Sequence, residues 1–457
     1  MASRKQLVAK PFAAYLPIAL TTMVMALIPG ALVTSCMSIF FPLLAADYGV
    51  QVSQVTVYMT IGGLIMAFAG PFVGKIAATK DLRFVGATLV SLVVICFLSL
   101  SFSQSLIQFL ISAAIMMPSA MIGIGLFNPT LINRWFKDRA GALLGFSAAF
   151  TGVGGVIFLQ VDQAIINATD YRTAFLVNAI IVACTALPCV LFAIRNKPSD
   201  RGMLPYVNLK KGESKESDKG QEHALEKAAS RNWSVDPKIA TKSSSFIILC
   251  VAAGLANATV LVAQFFPTYV NSLETAGITA FVTGAGLASF TMAGQAICKF
   301  LLGAGSDLSP KKTVLVACSV GIIAILFIWF GAQTALLPIG GLIFGMFYAS
   351  PIVLLPLVAG AVYGTGENYA IIWGRTMLPS GIISAPAGIL WPWISETFGG
   401  FDAVFVAGIA FIIIFAVMIM ACMKLGEKLP HTEGVIPAAE KIKAENAKEM
   451  NPSKATA

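Results

Sequence analysis

The sequence predicts an all-α integral membrane fold of 12 transmembrane helices in two six-helix bundles, with both termini cytoplasmic. Three observations carry this expectation: the apolar composition, the spacing of lipid-length apolar runs, and the basic residues that punctuate those runs. Of the 457 residues, 57% are hydrophobic and 12% charged, against about 45–50% and about 25% in soluble domains. Mean hydropathy is +0.82. A water-soluble fold of this size is excluded.

Crossing the hydrocarbon takes about 20 apolar residues in a helix. Such runs occur near residues 12–44, 54–76, 83–103, 105–133, 140–161 and 171–194, and again near 245–270, 278–304, 313–331, 335–361, 368–394 and 401–423. The first run follows Arg4, Lys5 and Lys10 but is too long for a cleavable signal. Residues 1–194 and 245–423 therefore form the two bundles. Between them, residues 195–244 hold eleven Lys/Arg and seven Asp/Glu with hardly any apolar run, the composition of a solvated linker. Residues 424–457 form a polar cytoplasmic tail.

The net charge of +9 is spread over helix ends rather than gathered in a patch, so nucleic acid is not an expected partner. It is a topology signal instead. Lys and Arg collect at the termini, in the 2–3, 4–5 and 8–9 loops and in the linker, while the opposite face keeps only Arg172, as the positive-inside rule requires. The outward loops are expected to hold Asp47, Asp162, Asp170, Glu274, Glu396 and Asp402. The protein is thus placed in the plasma (inner) membrane, in contact with the lipid bilayer, and taken as a monomer.

The eight cysteines all fall in apolar runs without a CxxC or Cys/His cluster, so neither disulfides nor a metal is expected. No cofactor motif is present. The GVGG string at Gly152–Gly155 lacks the Lys-Ser/Thr of a phosphate loop and reads as helix-packing glycine. A membrane enzyme would need a nucleophile, metal cluster or acid pair within the spans, and none is found, so no residue is assigned a catalytic role.

An internal repeat supports the two-bundle plan. GKIAATKDLR begins at Gly74 and GAGSDLSPKK at Gly303, 229 residues apart (303 − 74 = 229), each after the second helix of its half and each ending on a basic residue, Arg83 and Lys312. At these residues the chain resembles the major facilitator superfamily, whose hallmark is a Gly-x-x-x-Asp-Arg-x-Gly-x-Arg-like loop. The second copy keeps the acid as Asp307; the first has Ala78 there.

A more specific resemblance runs from Gly125 to Gly155, GLFNPTLINRWFKDRAGALLGFSAAFTGVGG, which looks like the helix 4 to 5 signature of monocarboxylate transporters and oxalate/formate antiporters, with WF-x-x-R-x-G as its core. RNKPSDRGMLPY, from Arg195 to Tyr206, is similar to the segment after helix 6 in bacterial members, and YGVQVSQVT, from Tyr48 to Thr56, fits the start of helix 2. The implied activity is secondary transport of small organic anions by alternating access.

Ionisable groups inside the membrane cost roughly 2.5–3.5 kcal/mol each on insertion scales, so the few that remain are candidate site residues. Lys299 on helix 8 and Arg375 on helix 11 lie about 10–12 Å from their cytoplasmic loops at 1.5 Å per residue. The resemblance implies that cations at these two positions bind substrate carboxylates. An Arg suits bidentate carboxylate binding, and a Lys acts as a point charge. Set against this is the simpler reading that both side chains snorkel to the interface, and Lys75 reads as an interface residue.

Where proton-coupled relatives carry an Asp four residues before the helix 8 cation, this chain has Gln295. His223 and His431 lie in linker and tail, and no Asp or Glu is placed inside a span. Two cations without an acid favour exchange, because closing an empty carrier would bury unpaired like charges. Asn128, Asn257, Gln264, Tyr348, Phe344 and Thr34 are the further candidate cavity residues, with ordinary helix packing as the alternative for each. Three other functions stay open: a proton-coupled monocarboxylate symporter and an exporter of larger amphipathic compounds, both of which would need a titratable carboxylate, and a non-transporting receptor, which would need a signalling module.

Overall fold

The structure, a computed structural model, describes residues 11–136, 140–204, 206, 235–304, 310–364 and 368–430. Within them, twelve helical spans succeed one another. The first six are α1 (Leu16–Tyr48), α2 (Val57–Thr79), α3 (Leu82–Ser101), α4 (Leu106–Trp135), α5 (Ala140–Ala168) and α6 (Tyr171–Ala193). The second six are α7 (Ser244–Thr275), α8 (Gly284–Ala304), α9 (Pro310–Phe330), α10 (Leu336–Tyr348 continued by Ser350–Tyr363), α11 (Tyr369–Ser384 continued by Ala387–Thr397) and α12 (Phe401–Gly426). Short helices at Val52–Val55 and Pro237–Lys242 lead into α2 and α7. Among the described residues no strand forms.

Backbone polar groups have no water partner in hydrocarbon, which is why apolar runs fold as helices there. Their starts are set by short polar side chains at the N-cap. Asp81 accepts from the Arg83 amide at 2.9 Å, Ser105 from Gln108 at 3.3 Å, Asp170 from Thr173 at 2.6 Å and Ser243 from Phe246 at 3.2 Å. Gly49, at φ +62°, takes the left-handed turn that ends α1. Bulky apolar side chains such as Phe84, Phe192 and Phe330 point outward with 72%, 75% and 72% exposure, a surface suited only to lipid.

The spans pack as two sets. In the first, α3 lies against α4 and α6, α2 against α4, and α1 against α5; in the second, α7 lies against α11 and α12, α8 and α9 against α10, and α9 against α12. The sets meet where α5 packs on α8 and α2 on α11.

Several spans are broken. In α1 a π turn at Ala26–Gly30 carries Pro29, and a 3-10 turn at Cys36–Phe40 precedes Phe41–Pro42. In α7 a 3-10 turn at Leu261–Phe265 precedes Phe266–Pro267. Phe-Phe-Pro thus recurs at 40–42 and 265–267, an offset of 225 residues (265 − 40 = 225), and each proline withdraws a backbone donor at the same place in its helix.

The motif segments fold onto one another at the basic face. Trp135 donates its indole N–H to the Arg195 carbonyl at 3.1 Å, and the Tyr206 amide donates to the Trp135 carbonyl at 2.8 Å. The Tyr15 hydroxyl donates to the Leu204 carbonyl at 2.6 Å, and the rings of Phe12, Tyr15, Phe136 and Tyr206 pack around it in T-shaped and tilted pairs. Arg201 stacks 5.7 Å from the Trp135 ring and donates to the Ala193 carbonyl, and burial together with the charge of Arg195 lowers its pKa. The WF core and the segment after α6 are therefore structural partners.

Candidate functional site

The seam between the sets is built around the breaks in α1 and α7. Unwinding exposes backbone carbonyls to side chains, and the Gln264 amide donates to the Thr34 carbonyl at 2.5 Å. Gln264 also reaches the Tyr348 hydroxyl on α10, so a polar chain of Tyr348, Gln264 and Thr34 crosses the seam. Next to Gln264 in the chain, Phe265 places its ring 5.8 Å from that of Phe41. Thr34 spends its own hydroxyl on the Gly30 carbonyl at 2.8 Å.

On the neighbouring seam, α5 and α8 approach closely because glycine offers no side chain. A Cβ on Gly152 would meet the Met292 carbonyl at 2.6 Å, and one on Gly155 would meet the Met292 side chain at the same distance. Packed into this contact, Lys299 is 7% exposed and donates its ammonium to the Thr151 hydroxyl at 2.9 Å. Among the described residues no carboxylate pairs with it. Gln295, one turn earlier on α8, is also buried.

Arg375 lies elsewhere. It is exposed on the first part of α11 and holds Nη1 3.4 Å from the Pro237 carbonyl, on the short helix that leads into α7. No described contact joins it to Lys299. Asn257 is half-buried on α7. Asn128 is buried at the α4 bend, with its amide donating to the Thr22 carbonyl of α1 at 2.9 Å. Phe344 is wholly buried and meets Phe266 edge-on at 5.1 Å, whereas Tyr348 one turn on stays half-buried.

The repeated loop motif is only partly described. Gly74 and Gly303 fall in the closing turns of α2 and α8, so α2 runs three residues past its expected end at 76. Arg83 pairs with Asp81 at 3.7 Å. Lys312 is exposed in the first turn of α9, where its neighbour Lys311 meets Glu427 at 3.0 Å. Asp307 lies outside the described residues.

One sequence expectation is overturned. Asp162 is not in an outward loop: α5 continues to Ala168, and Asp162 is 0% exposed inside the first set of helices. The apolar run stops at Val161 because Asp162 and Gln163 are polar, but the helix does not. The signal was available in Ile165 and Ile166, which resume the apolar face one turn later. Asn178 of α6 and Cys36 of α1 face the carboxyl group. Sequence reasoning also passed over Thr151 and Ser53, and Glu396, expected in an outward loop, lies in the last turn of α11. The Ser53 amide and hydroxyl donate to Glu396 at 2.9 and 2.5 Å, joining the two sets at the face opposite the basic one.

Solved structures with the same architecture include the nucleoside transporter NupG, with a TM-score of 0.64 at 13% identity, over 91% of this chain and 100% of that one. A point mutant of the same transporter gives 0.66 at 12% identity, over 90% and 99%. A bacterial homologue of the human lysosomal transporter Spinster, inward-facing and unoccupied, gives 0.61 at 13% identity, over 94% and 100%. At these identities the likeness is one of fold. No curated protein matches the sequence. The sequence model of the Major Facilitator Superfamily matches residues 23–352, and with twelve apolar spans in two packed sets the chain belongs to that superfamily, a multi-pass membrane transporter rather than an enzyme.

Proposed function

We propose that this transporter carries small organic anions, mono- or dicarboxylates, by alternating access and chiefly by exchange. The observation that supports the reading is Lys299, a buried ammonium on the seam whose described partner is a neutral hydroxyl. A buried cation without a counter-ion is strongly unfavourable. A bound carboxylate supplies the missing charge, and leaving again requires a replacement, which is the logic of exchange.

Arg375 serves as the second cation. Its present contact is a long hydrogen bond to a backbone carbonyl, and a carboxylate offers the guanidinium two shorter, charge-assisted bonds. Gln264, Tyr348 and Asn257 supply neutral hydrogen-bonding groups along α7 and α10. Residues 1–194 and 245–423 rock as two bodies about the seam. The conformation seen is the one closed opposite the basic face, where Ser53 meets Glu396, the Thr60 hydroxyl donates to the Ala385 carbonyl at 2.8 Å, and Gly388 packs on Met59. The basic face is cytoplasmic, the membrane is the plasma (inner) membrane, and the working unit is a single chain.

The test is uptake of labelled small carboxylates into proteoliposomes, with and without unlabelled anion inside, for the wild type, Lys299→Gln and Arg375→Gln. Uptake that requires internal anion and is lost in both variants supports the reading. Uptake of carboxylates untouched by either substitution would overturn it.

A further inference from the structure

Asp162 has no role in the anion site. Its carboxyl group is fully enclosed among α1, α5 and α6, and neither oxygen has a hydrogen-bond partner. Asn178, 1% exposed on α6, faces it with both side-chain atoms equally unpartnered, and the Cys36 thiol faces it from α1. From α8 come only neutral groups: Gln160, half a turn back on α5, donates to Ser289 at 2.7 Å and to the Ala285 carbonyl at 3.3 Å. The nearby outer ends of α6 and α1 carry Arg172 and Asp47, which pair with each other at 3.0 Å. Among the described residues no cation offsets Asp162.

An ionised carboxylate in such surroundings would lack both solvent and counter-charge. A metal cation would find three side-chain oxygens at most, those of Asp162 and Asn178, beside a thiol, whereas a proton needs one oxygen and one acceptor.

We propose that Asp162, faced by Asn178, is a proton-binding site of the first half, loaded in the conformation seen here and emptied when the halves open to the opposite face. Asp162 lies six residues from the end of α5 at Ala168, about 9 Å at 1.5 Å per residue. The stacked rings of Phe40 and Phe175, with centroids 4.3 Å apart, lie one turn closer to that end and cap the site. Cys36 and Phe40 both belong to the 3-10 turn of α1. Thr34, two residues before Cys36, is the residue held by Gln264 across the seam. Parting the seam therefore moves the segment that seals the carboxyl group. The proton enters from the opposite face as the cap lifts, is sealed as the cap closes, and returns to that face on the next opening, so acid on that face favours the closed state and with it uptake, without a proton crossing the membrane.

The inference rests on the anion reading for its cargo only. In proteoliposomes, acid outside stimulates net carboxylate uptake by the wild type; Asp162→Asn, which mimics the protonated group, keeps anion exchange and loses that stimulation, and Asp162→Glu retains it with a shifted pH midpoint. An unchanged response to the pH gradient in Asp162→Asn, or a wild type that transports carboxylate with no response to the gradient, overturns the proposal. Infrared difference spectra between acid and alkaline pH separate the two readings. A carboxyl C=O band that titrates in the wild type and is missing in Asp162→Asn sustains the proton site even if no carboxylate is transported, and its absence from the wild type counts against the site whatever the transport result.

Discussion

Lys299 and Arg375 reach their positions by different routes, and their substitutions report different things. Removing a charge-assisted hydrogen bond costs about 1.5–3 kcal/mol, which at about 1.4 kcal/mol per tenfold is on the order of 10- to 100-fold in binding. Lys299→Gln and Arg375→Gln are each expected to raise the half-saturating carboxylate concentration by that order in counterflow assays. Thr151→Val separates binding from burial: it leaves the Lys299 ammonium without its described partner and is expected to lower stability by about 1–3 kcal/mol, the cost of an unsatisfied buried polar group, read as melting temperature in detergent. At the head of α6, the Thr173 amide donating to the carboxylate holds Asp170 below its usual pKa. A depressed folded-state pKa means that this cap stabilises above the unfolded value of about 3.9 and fades as pH falls through the lower folded value. Asp170→Asn is therefore expected to flatten the acid limb of the melting-temperature profile.

Helices α8 and α10 touch at points where any side chain collides. A Cβ on Gly294 would lie 1.9 Å from the Leu342 carbonyl oxygen, and one on Gly345 would lie 1.9 Å from that of Thr291. Gly294→Ala and Gly345→Ala are expected to cost about 1–3 kcal/mol through overpacking. At Gly374 on α11 an added Cβ meets nothing within 4 Å, and Gly374→Ala is expected to gain up to about 1 kcal/mol through helix propensity. The same contrast marks what the sequence could convey about elements. Span number and order were legible because hydrocarbon forces apolar residues into long uniform runs. The extent of α5 was not, since Asp162 is polar by type and buried by position, and hydropathy registers only the first. Asp307, central to the family motif, lies outside the described residues.

At the scale of the whole molecule, closure opposite the basic face rests on few polar contacts, and Glu396 accepts two of them from Ser53. Glu396→Gln removes the charge from both, and at about 1.5–3 kcal/mol for a bond to a charged group the change is large enough to move a two-state population about tenfold. The expected outcome is a longer distance between spin labels placed at the outer ends of α2 and α11. Two-bundle architecture was readable from the repeat after the second helix of each half. The seam was not, because contacts such as Thr34 with Gln264 join residues 230 apart through a backbone carbonyl, which leaves no mark on residue type.

The matched Phe-Phe-Pro breaks in α1 and α7 have a bearing on ancestry. A bend specified by three consecutive residues needs nothing from the other half of the chain, so each half carries its own instructions for unwinding where the two meet. That is the imprint expected of a duplicated and fused gene. It implies that two separate polypeptides, divided between residues 207 and 234 and synthesised together, would each fold and then find one another in the bilayer.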